Sequence, residues 1–140
     1  MDKQAPAEAA GEAMWRVDRA TKWLGMKLEE IRPGYARMSM TVTGDMANGQ
    51  ALCHGGLIFT LADSSFGYAC NSRNHHALAA ACSIEFLAPA RPGDRLTAEC
   101  SEQASVGRTG IYDARVTNQI GELIAVFRGK SATGRGTWVA

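Results

Sequence analysis

Asp63 is the one carboxylate in the apolar run LIFTLADSSFGYACN at residues 57–71. A charged group in such a run costs free energy unless it is paired, hydrogen-bonded or neutralised by a raised pKa. Two roles suit it. It can be structural, bonded to Ser64, Ser65 or a nearby backbone amide. It can also do chemistry, as a nucleophile or as the base that activates water. Gly67 lies one turn further on. Helical side chains lean toward the N-terminus, so a side chain at 67 would cover Asp63. Glycine leaves open space beside the carboxylate, at a helix-propensity cost of ~1 kcal/mol relative to alanine. The run is preceded by Gly55 and Gly56, and bare amides at a helix start bind anions or carbonyl oxygens. Such amides polarise a carbonyl as an oxyanion hole does. The eight residues from Gly55 to Asp63 span ~12 Å of helix, so both cannot touch one carbonyl within one chain. If both act, the second group comes from another subunit, and the protein is at least a dimer with its sites at the interface.

Other reactive side chains are weaker candidates. His54 precedes the glycine pair, where a histidine serves as a loop hydrogen-bonder more often than as a base or metal ligand. Cys53 is adjacent to it, but neighbours in extended chain point apart, which disfavours a Cys/His pair. His75 and His76 follow the run in a polar, solvated loop, with no third ligand spaced for zinc. Arg91, Arg108 and Thr109 lie in turns between strands. They suit phosphate oxygens, and equally well they are ordinary solvated turn residues. Trp15 and Trp23 read as packing residues of the first helix.

These groups need elements to hold them. Residues 12–24 carry Ala13, Val17, Ala20 and Leu24 at helical spacing, and Gly25 ends that helix. Residues 26–31 and 36–42 read as two strands joined at Pro33-Gly34; the second alternates cleanly. The run from 57 to 71 is apolar on all sides and reads as a long buried helix. Strands follow at 78–88, 95–101, 111–116 and 122–131, with a loop at 106–110. The last strand is central, because residues 123–127 are all apolar. The expected organisation is a flexible segment over 1–12, one α+β domain over 13–132 and a tail over 133–140. A helix apolar all round needs a curved sheet on one side and a second cover, most economically a partner subunit.

Composition narrows the function. The 140 residues carry 15 basic and 14 acidic side chains, a net charge of +1. That balance argues against nucleic acid or an anionic membrane as the main partner, and leaves room for a small anion held by a few arginines. Cys53, Cys70, Cys82 and Cys100 form no C-x-x-C pair, so neither a metal site nor a redox motif is expected. The Ala-rich start has no signal-peptide pattern, and no apolar run reaches the ~18 residues of a membrane span. A cytoplasmic protein with reduced thiols is the expectation.

Asn48, CHGG at 53–56 and FTLADSSFGYACNS at 59–72 together resemble the hot-dog-fold thioesterases. Within them the chain is most similar to the phenylacetic-acid-degradation (PaaI-type) acyl-CoA thioesterases. CSIEFLAPARPGD at 82–94, TGIYD at 109–113, VTNQ at 116–119 and AVFRGKS at 125–131 extend the likeness. The resemblance implies a long central helix wrapped by a curved antiparallel sheet. It implies hydrolysis of aryl-acetyl-CoA esters without a cofactor, in a homodimer or a dimer of dimers. By the same resemblance Asp63 is the catalytic carboxylate, the Gly55 amide holds the thioester oxygen, Asn48 positions water or substrate and His54 supports the site. Gly56, Ser64, Ser65 and Gly67 border the substrate, and Arg91, Arg108 and Thr109 are candidates for CoA. Relatives with Glu at the carboxylate position can carry Thr one turn later. Gly67 stands there here, so that hydroxyl role falls to Ser64 or Ser65 or goes unfilled. Two other functions compete: an acyl-thioester hydratase or dehydratase on the same scaffold, and a non-catalytic acyl-CoA binding module.

Overall fold

The computed structural model of the protein describes residues 3–140. Strands β1 (Lys27–Arg32) and β2 (Tyr35–Thr41) form the expected hairpin, with Arg32 paired to Tyr35. Gly34 turns it with φ +75°, a conformation that side chains resist. The long helix, Gly55–Asn71, is followed by β3 (Ala77–Phe86), β4 (Arg95–Val106), β5 (Thr109–Thr117) and β6 (Leu123–Thr133). The strands join in the order β1-β2-β4-β5-β6-β3, with every neighbouring pair antiparallel. β6 lies inside the sheet, as its apolar run requires. The loop expected at 106–110 shrinks to a turn between β4 and β5, with Val106 paired to Thr109. A register shift between Glu102 and Ala104 breaks the alternation there and hides the extra length of β4 from a period-two reading.

The sheet curves around the long helix. Ala36, Cys100 and Ala114 form a row of small residues across β2, β4 and β5, and all three are buried. On the helix, Ile58, Leu61, Ala62, Ser65, Phe66 and Ala69 are buried. Full burial of a large apolar side chain such as Phe66 or Leu61 contributes roughly 1.5–3 kcal/mol. Gly129 of β6 sets how close the helix comes. A Cβ there would lie 2.7–2.9 Å from three atoms of the Phe66 ring. This is the α+β hot-dog architecture, a six-stranded antiparallel sheet around one helix.

The N-terminal segment departs from the expectation of flexibility, and the tail over 133–140 packs on the long helix. Helix α1 runs Gln4–Val17, so from Gln4 onward the segment expected to be flexible over 1–12 is helical; positions 1 and 2 lie outside the described residues. The reason is compositional. Alanine is the best helix former, and the small faces of Ala7, Ala10 and Gly11 are buried, with Gly11 close against Ile31 of β1. The single helix expected over 12–24 is two, because Asp18 interrupts it. Asp18 caps α2 (Arg19–Trp23) by accepting the Thr21 amide at 3.2 Å, and it also accepts the Tyr68 hydroxyl at 2.9 Å. Trp15 does pack near Tyr68, with ring centroids 6.4 Å apart. Trp23 does not, and is 84% exposed. The long helix is α3 from here on. At its far end the tail folds back: Trp138 stacks on His76 at 4.3 Å and donates its indole N–H to Asn71 Oδ1 at 2.9 Å. His76 is therefore a packing residue rather than a solvated one.

Candidate functional site

The N-terminus of α3 is built by His54. Its Nδ1 accepts the Gly56 amide at 3.0 Å. Its carbonyl accepts the amides of Leu57 at 2.9 Å and Ile58 at 3.3 Å. Of the first four amides of the helix, that of Gly55 alone is left without a partner among the described residues. The sequence suggested two bare amides; the structure leaves one. Gly56 donates to its neighbour's ring instead, and this bond requires an unprotonated Nδ1 on His54. His54 is thus the helix cap. Cys53, beside it, points its thiol toward the His54 carbonyl and makes no thiol–imidazole pair.

Asn48 stands next to this amide. Its Oδ1 accepts the amides of Gln50 at 2.9 Å and Leu52 at 3.2 Å, which shapes the loop before the helix. The Nδ2 group has no partner among the described residues. Asn48 and Gly55 line a cleft of about 330 Å³ together with Ile58, Phe86 and Ala90. Phe86 closes over Gly55, where a Cβ would meet the ring at 3.2 Å. A side chain at 55 would crowd the ring and cover the free amide.

Asp63 is not in this cleft. It sits half-buried in mid-helix, and its one hydrogen-bond partner is the Cys82 thiol of β3, at 3.9 Å. The structural alternative, a carboxylate tied to Ser64, Ser65 or an amide, is not what the fold builds. Burial pushes the Asp63 pKa up, and the Cys82 hydrogen bond partly offsets this. A carboxylate with a raised pKa is a stronger base and a better nucleophile than an exposed one. Burial likewise pushes up the Cys82 thiol, and the Asp63 charge adds to it. Gly67 leaves the expected space, since a Cβ there would meet nothing within 4 Å.

Other expected site residues are scattered. Ser65 is fully buried, donates to Ala62 O at 2.7 Å and faces Cys100 of the sheet, so it is not brought to Asp63. Helix geometry puts residues 63 and 65 about 200° apart, which accounts for this. Ser64 is half-buried, without a hydrogen bond among the described residues. Arg91 precedes β4, while Arg108 and Thr109 follow it. They lie at opposite ends of a strand about 36 Å long, and one chain cannot close all three on one nucleotide. Cys82 and Phe86 were missed as site residues. Strand alternation was the available signal, because 82, 84 and 86 share one face of β3. Among the described residues no three His, Cys, Asp or Glu are placed to hold a metal ion, and no helix is long and apolar enough to cross a membrane.

The long helix thus opens on the Gly55 amide and carries a half-buried carboxylate in its middle, and residues 50–125 match the thioesterase superfamily. The chain belongs to that family. It is 45% identical to the acyl-coenzyme A thioesterase PaaI of Escherichia coli (strain K12) over 119 residues, covering 85% of each chain. The solved structure of the E. coli PaaI protein from the phenylacetic acid degradation operon superposes with a TM-score of 0.95 at 42% identity, over 97% of this chain and 99% of that one. A Streptococcus mutans protein solved with acetyl-CoA superposes with a TM-score of 0.76 at 25% identity, over 80% of this chain and 90% of that one.

Proposed function

We propose that this enzyme hydrolyses acyl-CoA thioesters, with aryl-acetyl-CoA esters such as phenylacetyl-CoA or hydroxyphenylacetyl-CoA as its substrates. The carrying observation is the pairing on one helix of a partnerless Gly55 amide with a half-buried Asp63 carboxylate whose pKa burial raises. The Gly55 N–H donates a hydrogen bond to the thioester oxygen and stabilises the negative charge that builds there as the tetrahedral intermediate forms. Asp63 either takes a proton from the attacking water or attacks the carbonyl carbon itself. In both cases a C–O bond forms, the C–S bond breaks and CoA leaves as the thiolate; on the nucleophilic route water then cleaves the Asp63 anhydride, releasing the acid and restoring the carboxylate. Asn48 Nδ2 orients the water or the acyl group from the Gly55 side. The E. coli relative's name and its operon support the aryl-acetyl substrate and a place in or beside phenylacetate degradation. The cytoplasm suits such a role.

The ~12 Å between Gly55 and Asp63 supports a site shared between two subunits. The edge strand β3 supports this, because it pairs only with β6 and leaves Leu78 76%, Phe86 51% and Leu87 58% exposed. An open apolar edge invites a second copy of the strand. The assembly is a homodimer at least, and a dimer of dimers in the full reading. Two subunits also allow Arg91 of one chain and Arg108 and Thr109 of another to share one CoA.

The test is release of CoA thiol from phenylacetyl-, hydroxyphenylacetyl-, benzoyl- and straight-chain acyl-CoA. Wild type is compared with Asp63→Asn and Asp63→Ala at matched oligomeric state. Turnover that falls at least ~100-fold in both variants is expected, the scale of losing a catalytic acid–base group. Full activity without the carboxylate refutes the assignment. Exchange of the acyl α-hydrogen without thiol release points to the hydratase chemistry instead. In one turnover in H₂¹⁸O, label found in the Asp63 carboxylate marks the nucleophilic route, in which water opens the anhydride at the Asp63 carboxyl carbon.

A further inference from the structure

We propose that Cys82 is a positioning residue for the reaction, its thiol holding the Asp63 carboxylate in the orientation in which it meets the acyl carbon. The inference rests on the reading of Asp63 as the catalytic carboxylate and adds what aims it. Asp63 has no other hydrogen-bond partner among the described residues, and the Cys82 Sγ lies 3.9 Å from its Oδ1. Gly67 provides no side chain to brace it, because a Cβ there would meet nothing within 4 Å. An aspartate in that much space has free χ1 and χ2 rotation unless something limits it. Among the described residues that restraint comes from β3. Cys82 pairs with Gly129 of β6, which lies under the Phe66 ring of α3. The thiol therefore stands on backbone paired to the strand position that packs directly against the Phe66 ring of α3.

The choice of sulfur has a chemical reason. A thiol is a weak donor. It orients the carboxylate without drawing off the electron density that attack on the carbonyl or on a water proton needs. A hydroxyl would bind the anion more tightly and make it a poorer base. The other titratable group acting near this pair is Cys70, further along α3, whose thiol burial pushes up to about 12. Cys70 donates to Gly67 O at 3.5 Å and is neutral. Among the described residues no cation acts on Asp63, and the Cys82 hydrogen bond is the local influence that opposes burial. Cys82 takes no covalent part: no bond to sulfur forms or breaks.

The experiment is a pH profile of kcat and of KM for phenylacetyl-CoA hydrolysis in wild type, Cys82→Ala, Cys82→Ser and Asp63→Asn, with oligomeric state matched by light scattering. In Cys82→Ala the expected result is a fall in kcat of about threefold to tenfold, the scale of one modest hydrogen bond, with KM little changed. The acid limb moves to higher pH, because the hydrogen bond that favoured the anion is gone. In Cys82→Ser the acid limb moves to lower pH and kcat recovers part of the loss. A purely structural role for Cys82 would not move the two limbs in opposite directions. Cys82 variants that keep the wild-type kcat and acid limb, in an enzyme that Asp63→Asn inactivates, overturn this inference and leave the thioesterase reading standing. A wild type with no turnover, or an active Asp63→Asn, overturns both.

Discussion

Gly67 offers a direct conflict between stability and catalysis. It lies inside α3, where glycine costs about 1 kcal/mol relative to alanine. Nothing lies within 4 Å of a Cβ built there, so Gly67→Ala introduces no clash to set against that gain. The variant is expected to be more stable by about 1 kcal/mol, which for a chain of this length raises Tm by about 3–4 °C. Gly67→Leu retains most of the propensity gain and extends into the space beside Asp63. If that space receives the acyl group, kcat/KM for phenylacetyl-CoA falls by about tenfold or more, the scale of an extra methylene or two in a filled pocket. Calorimetry at matched protein concentration, read beside a CoA-release assay, gives both numbers. Two results refute the reasoning. A destabilised Gly67→Ala means that something in the assembly already occupies the space. A stabilised, fully active Gly67→Leu means that the space is not where substrate goes.

Three further outcomes follow from the same geometry. Because burial raises the folded pKa of Asp63, the fold favours its protonated form. The stability it contributes is fully present below the ordinary Asp range and is lost as pH rises through the raised value, while activity appears over that same window. Asp63→Asn should thus abolish activity without lowering Tm at neutral pH, and the Tm difference from wild type should shrink on acidification. His54→Ala removes the acceptor of the Gly56 amide and is expected to cost about 1 kcal/mol in urea denaturation, with His54→Asn restoring most of it. Gly129→Ala places a methyl 2.7–2.9 Å from the Phe66 ring. It is expected to destabilise by about 1–3 kcal/mol in the same assay, and to lower kcat because β3 and Cys82 move with it.

Most of the fold could be read from the sequence wherever one local period governed it. The hairpin at Pro33-Gly34, the apolar run that became α3 and the interior position of β6, one strand in from the edge, are of this kind. The departures have local causes too: the register shift beside Glu102 concealed the end of β4, and the Asp18 cap divided the first helix. The helical start at Gln4 had an available signal in alanine propensity, but its burial against Ile31 is a long-range fact that no window of sequence contains.

The site was legible only in part, for a geometric reason. Spacing along α3 separated Gly55 from Asp63, and helical phase could have excluded Ser65. What spacing could not give was the strand that serves both positions. β3 lies beside α3 so that Phe86 covers Gly55 and Cys82 meets Asp63. The four residues from Cys82 to Phe86 rise about 13 Å as strand, and the eight from Gly55 to Asp63 rise ~12 Å as helix. The two distances match, and one edge strand can therefore support the amide at one end and the carboxylate at the other. The same strand has an unpaired outer edge. On the proposed reading, a second copy docked there would sit beside both positions at once, so the strand that supports the two groups would also be the strand that brings in the partner.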